Sequence, residues 1–343
     1  MNVVYAGASY VTDSDYSLVI NDEGVFCLGN DLRSSNVDGQ LGLGTKVFTT
    51  CEQVQDIPYM KAVTGTPDSS FLLDIEGFVW SCGNNRCGKL GFYDERNRQF
   101  FTKIPDLPPI VDVACDPTSA MFLDLQGNIW GCGFGCPLGL GATSVTLKIT
   151  QVPNLPPIQS IAMGRRYSLL LDESNKVWSC GENSKGQLAL GDSILRARFT
   201  PVPSLPPISQ ISCGSLHCTL LSQDSSVWTC GESTFYSNAK CVPQNVPGLP
   251  PIHAIFNGFN RSMFLDEEAN VWTKVHVRAG LAPEKIKGLP PTRTISCGQN
   301  HTIFVEDTGS LCIINETTNK KVQSVPTLKA SIPNSSTKSA RKL

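Results

Sequence analysis

The side chains best suited to chemistry in this 343-residue chain are its 14 cysteines. Cys82, Cys132, Cys180 and Cys230 each stand two residues after a tryptophan, at Trp80, Trp130, Trp178 and Trp228, and Phe26 with Cys27 is a closer-spaced variant. Cys115, Cys213 and Cys297 hold a second recurring position. A zinc site needs paired ligands at short spacing, and no Cys-x-x-Cys occurs; Cys82/Cys87, Cys132/Cys136 and Cys213/Cys218 each lack a second matching pair. Equivalent positions in separate copies of a unit lie far apart, so these thiols read as small buried apolar residues. His217, His253, His276 and His301 are the only imidazoles, and no spacing joins one to a nucleophile and an orienting acid. The run Gly39-Gln40-Leu41-Gly42-Leu43-Gly44 lacks the Gly-Lys-Ser/Thr of a phosphate loop, which leaves its glycines to shape turns. Neither catalysis nor a metal or cofactor is expected.

What must position these residues is a repeat. The tryptophans recur at intervals of 50, 48, 50 and 44 residues, with Trp272 next in line but without its cysteine. A second marker, Leu-Pro-Pro-Ile, begins at Leu107, Leu155, Leu205 and Leu249 and returns as Leu-Pro-Pro-Thr at Leu289. Each period holds short β-segments, such as Leu169–Asp172 and Lys176–Cys180, separated by turns such as Asp74-Ile75-Glu76-Gly77. Proline at this density would break a helical array. Four strands per period predict an all-β, seven-bladed propeller of four-stranded antiparallel blades. The expected units are 3–60, 61–110, 111–158, 159–208, 209–252, 253–292 and 293–327, folding as one domain because a lone blade cannot bury its faces. Residues 328–343 read as a flexible polar tail.

Composition sets outer bounds. With 28 basic and 30 acidic residues the net charge is −2, which argues against general attraction to nucleic acid or anionic lipid. No secretory leader and no apolar run of about 18 residues is expected, so no membrane span. Many cysteines without a leader predict reduced thiols in the cytoplasm or nucleus.

The composite unit resembles the repeat of the regulator-of-chromosome-condensation family. The residues that carry the resemblance are Ile211-Ser212-Cys213-Gly214 with His217, Val177-Trp178-Ser179-Cys180-Gly181-Glu182-Asn183, and Gly39–Gly44, with degraded copies at Gly88–Gly91, Leu138–Gly141 and Gly186–Gly191. The resemblance implies a propeller that binds a protein partner through one face, as a monomer. Its alternative implication is guanine-nucleotide exchange on a Ran-like small GTPase. No counterpart of the basic N-terminal tail or of the appended domains of some relatives is expected, and a chromatin scaffold is disfavoured by the charge balance.

One repeat position is a candidate contact ring. Tyr16, Ser69, Ser119, Tyr167, His217, Arg261 and His301 fall at equivalent places, expected near the channel mouth. Two Tyr, two His and one Arg suit a partner-binding surface; hydrogen bonding to neighbouring loops is the alternative reading. Arg98 and Arg196 are likewise equivalent and form either a basic rim for an acidic partner or solvated loop charge.

Overall fold

A computed structural model describes residues 3–8, 15–21, 23–29, 36–44, 52–141, 143–232, 240–274, 282–298, 301–306, 310–315 and 320–322. The strands form seven four-stranded antiparallel sheets, each from contiguous chain and each in simple up-and-down order. They are the blades of a seven-bladed β-propeller. Blade 4 typifies them: Ile158–Gly164 innermost, then Tyr167–Asp172, Val177–Gly181 and Arg196–Pro201. The innermost strands of successive blades touch around a central channel, and Val3–Ala8 of blade 1 meets Thr292–Cys297 and His301–Glu306 of blade 7 to close the ring. The proposed tail, 328–343, lies outside the described residues.

Proline-rich linkers separate the blades, because a residue without an N–H cannot continue a ladder. Their last residue is already strand: Ile110, Ile158, Ile208, Ile252 and Thr292 open inner strands, so each of those blades starts one residue before the sequence division. The second strand is buried at every position in blades 2 to 5, between flanking strands and neighbouring blades.

The turn after that second strand is organised by an aspartate. Asp74, Asp124, Asp172 and Asp266 each accept turn N–H groups on one carboxylate oxygen. The other oxygen accepts the indole N–H six residues on, from Trp80, Trp130, Trp178 and Trp272, at 2.8–3.0 Å. Blade 5 substitutes Ser226, whose hydroxyl accepts from Trp228 at 3.1 Å. Burial alone would raise the carboxyls of Asp124 and Asp266, but the bonds from tryptophan and asparagine hold both below the usual carboxylate range.

Glycine-rich loops join blades together. Each follows a third strand and reaches the outer strand of the next blade: Gly44 N–H bonds Gln99 O, Gly141 bonds Ala197 O and Gly191 bonds Cys241 O, at 2.7–3.0 Å. The recurring thiols face the same seam from the other side. Cys82 Sγ donates to Gln40 O, Cys132 to Lys89 O, Cys180 to Pro137 O and Cys230 to Gly186 O, at 3.0–3.4 Å.

Candidate interaction surface at the mouth of the ring

Antiparallel topology puts the turns between first and second strands, and the glycine-rich loops, on one face, called upper here. The hairpin turns between second and third strands, and the linkers, are on the other, or lower, face. The seven predicted contact positions do fall at one structural place, the upper start of the second strand. Tyr16 pairs with Gly7 and Gly29 at the register that pairs Tyr167 with Gly164 and Gly181, although the Tyr16 side chain lies outside the described residues. The carbonyl of Arg261 accepts Gly258 N–H at 3.0 Å, as that of His217 accepts Gly214 and that of His301 accepts Gly298.

Of the six described side chains, five turn inward. Ser69, Ser119, Tyr167 and His301 are fully buried, His217 is 2% exposed and only Arg261 is half-buried. The hydroxyl of Tyr167 donates to the carbonyls of Gly214 and His217 in blade 5. His217 Nε2 lies 3.2 Å from Ser262 Oγ in blade 6, and His301 Nε2 lies 3.0 Å from Ser17 Oγ in blade 1, across the closure. These are ties between blades, so a molecule resting on the upper face would not reach them.

The local cause is the residue three positions earlier. A Cβ on Gly164 would sit 2.0 Å from Tyr167 Cε1, and one on Gly214 would sit 2.1 Å from His217 Cε1. The glycine leaves room for a ring to lie across it and reach the next blade. Where Thr66 and Asp116 replace that glycine, the tie residue shrinks to Ser69 and Ser119. Ser69 then pairs with Thr66 Oγ1 at 2.7 Å, and Ser119 donates to Phe134 O at 3.1 Å. The Gly-x-x-Tyr/His spacing was visible in the sequence, but the direction of the side chain was not.

The tips of the face are the pairs of residues between that position, three before the tie, and the tie itself: Pro67-Asp68, Pro117-Thr118, Arg165-Arg166, Ser215-Leu216 and Phe259-Asn260, of which Ser215 is buried. Bonds from backbone N–H groups link these tips along the mouth from blade 3 to blade 7. Arg166 N–H donates to Asp116 at 2.9 Å, Arg165 to Ser215 O at 3.2 Å, Ser215 to Phe259 O at 2.8 Å and Phe259 to Gly298 O at 3.4 Å. Arg165 and Asn260 are exposed and Phe259 is half-buried. Outside them runs a charged row, with Arg166 stacked 4.6 Å from the Phe134 ring centre and paired to Glu182 at 2.9 Å, and Lys185 paired to Glu232 at 3.2 Å.

Arg98 and Arg196 are equivalent as aligned. Each bonds the carboxylate four residues back, Asp94 at 3.0 Å and Asp192 at 2.6 Å, so both guanidinium groups brace their own loops. Every described cysteine is a free thiol. Burial pushes Cys115, Cys132 and Cys213 up to about 12, and Cys82 and Cys180 well above the ordinary thiol value, which removes them as nucleophiles at neutral pH. Among the described residues no three His, Cys, Asp or Glu side chains converge as metal ligands, and no helix is long and apolar enough to cross a membrane.

One titrating group sits in the channel wall. Asp112, third in its inner strand, accepts the Ile161 N–H of blade 4, and burial pushes its carboxyl up to about 6. Gln210 holds the same place in blade 5 and makes a two-way tie, accepting Ile255 N–H at 2.9 Å and donating to Ile255 O at 3.0 Å. Because the folded protein holds this proton more tightly than the unfolded chain, Asp112 weakens the fold progressively as pH rises from about 4 to about 6. Asp112→Asn is expected to raise unfolding free energy at pH 7.5 by about 3 kcal/mol, with the gain vanishing near pH 4. Urea titrations at the two pH values check this.

Comparison with known proteins agrees with this architecture. Two models of the regulator of chromosome condensation (RCC1) repeat match, over residues 174–221 and 158–187. A search of curated proteins finds no match. Human WBSCR16 is similar in structure, with a TM-score of 0.77 at 18% identity over 88% of this chain and 85% of that one. Yeast RCC1 (Prp20), solved bound to Kap60, gives 0.73 at 20% identity over 86% and 79%. Prp20p from Saccharomyces cerevisiae, described with its binding properties to Gsp1p and histones, gives 0.68 at 21% identity over 86% and 80%.

Proposed function

We propose that this chain, a propeller carrying RCC1 repeats over residues 158–221, is a protein-interaction module that seats a protein partner on its upper face and performs no covalent chemistry. The observation that carries the reading is the contrast between frame and tips. The four-stranded blade and its inner strand repeat around the ring, whereas the tips change from acidic at Asp68 to basic at Arg165 and Arg166, then apolar at Leu216 and aromatic at Phe259. Symmetric stability needs no such variety; recognition of one asymmetric partner does. The reading is of a monomer working in a reducing compartment, where its free thiols persist.

A second reading is exchange on a Ran-like GTPase. It is favoured by the likeness to Prp20p, for which binding to Gsp1p is described. An exchange factor must hold the nucleotide-free GTPase more tightly than the loaded one, since only differential affinity speeds release. The test is release of a fluorescent guanine nucleotide from a Ran-like GTPase with stoichiometric protein. Acceleration of about a hundredfold, about 2.7 kcal/mol off the barrier, would establish exchange. Without acceleration, binding of the GTPase or of histones that is lost in Arg165→Glu/Phe259→Ala, with the melting curve unchanged, would support the interaction module alone. Binding indifferent to that variant would remove the upper face from consideration.

A further inference from the structure

Among the described residues, the lower face holds a second departure from symmetry in blades 2 and 3. Tyr59 is 70% exposed, Ile75 64%, Leu125 65% and Val111 39%. They adjoin one another through the backbone. Ile75 N–H bonds Tyr59 O at 3.2 Å, Leu125 N–H bonds Pro109 O at 3.3 Å, and Gly77 lies against Pro109 and Ile110, bringing the blade 2 turn onto blade 3.

The corresponding turn position holds Glu173, Gln223 and Glu267 in blades 4 to 6, and the place of Val111 is taken by Gln159, Ser209 and His253. The apolar strip is therefore a local feature rather than a property of the fold. Contiguous apolar surface exposed to water marks an interaction site. Its border is mainly acidic, with exposed Asp56, Glu76, Asp106 and Glu173 against two bases, Lys61 and Lys103, the second held over the Phe78 ring at 3.0 Å. An anionic lipid surface would be repelled by those carboxylates, whereas a basic protein segment would be attracted.

We infer that the lower face of blades 2 and 3 is a docking site for a protein segment that sets large apolar side chains on Ile75 and Leu125 and carries Lys or Arg beside them. This site is separate from the upper face, and the two readings fail independently.

The test is a 12-residue peptide display selection on the full chain, counter-selected on Ile75→Asp/Leu125→Asp. The expected result is enrichment of peptides that combine large apolar residues with Lys or Arg. A synthetic copy of the leading peptide should bind at least tenfold more weakly to that double variant and to Glu76→Lys/Glu173→Lys. Because all four side chains are at the surface, melting curves and upper-face binding should not change. Equal enrichment on both proteins, peptides with acidic or no flanking charge, or binding unaffected by the charge reversal would overturn the proposal. So would a concentration-dependent dimer dispersed by Leu125→Asp, or binding to phosphatidylserine vesicles lost in the same variant.

Discussion

Lys89→Ala is expected to lower the unfolding free energy by about 3 kcal/mol, measured by urea titration with tryptophan fluorescence. Lys89 stands in the glycine-rich loop of blade 2 and is completely buried. Its ammonium donates to Asp68 Oδ1 at 2.6 Å and to Pro117 O of blade 3 at 2.9 Å. Removing it opens a cavity and deprives a part-buried carbonyl of its donor. Asp68 is 34% exposed and can recover water, which keeps the loss at the low end of the range for broken buried pairs. The repeat itself supplies the control. Gln40 and Gln187 occupy the same position in blades 1 and 4 and are also buried, so an amide fits the seam. Lys89→Gln should therefore cost about 1 kcal/mol. Equal losses for Ala and Gln would show that the charge, rather than the donor, holds blades 2 and 3 together.

Gly139→Ala is expected to destabilise by about 4 kcal/mol, combining a left-handed backbone penalty with overpacking. Gly139 has φ +70°, and a Cβ there would stand 2.4 Å from Cδ2 of Phe199 in the outer strand of blade 4. Gly42 repeats this arrangement in blade 1, with φ +71° and a Cβ 2.2 Å from Phe101. Blade 4 shows why the rule has an exception. Ala189 occupies the equivalent place at φ 60°, and there the outer strand of the next blade carries Pro243 where the others carry Phe101 and Phe199. The steric part of the penalty belongs to the glycine–phenylalanine pair. In a double-mutant cycle, Gly139→Ala in a Phe199→Ala background should cost at least 1 kcal/mol less than in the parent protein. Strict additivity would assign the whole effect to the backbone.

The order of strands was legible because each blade is local. Its four strands are consecutive in the chain, and its hairpins announce themselves by Asp-x-x-Gly turns and by tryptophans six residues after a capping aspartate. The glycine-rich run was legible as turn chemistry, yet its reach to the following blade was not. That role depends on Gly42 meeting Phe101, and on Cys82 meeting Gln40, across a seam that no local pattern encodes. Arg98 and Arg196 illustrate the same limit: their equivalence followed from alignment, but their ion pairs with Asp94 and Asp192 came from the loop conformation.

The sequence by itself determined the repeat length, the up-and-down blades and the equivalence of Tyr167, His217 and His301, since these rest on periodicity and turn signals within one repeat. Tertiary structure alone decided that those three side chains leave the face and cross to the next blade, and that Tyr59, Ile75 and Leu125 gather on one surface. A repeat fixes where a residue sits within its unit. Where the side chain points is settled by the packing of one blade against the next, a contact between residues that are distant in sequence.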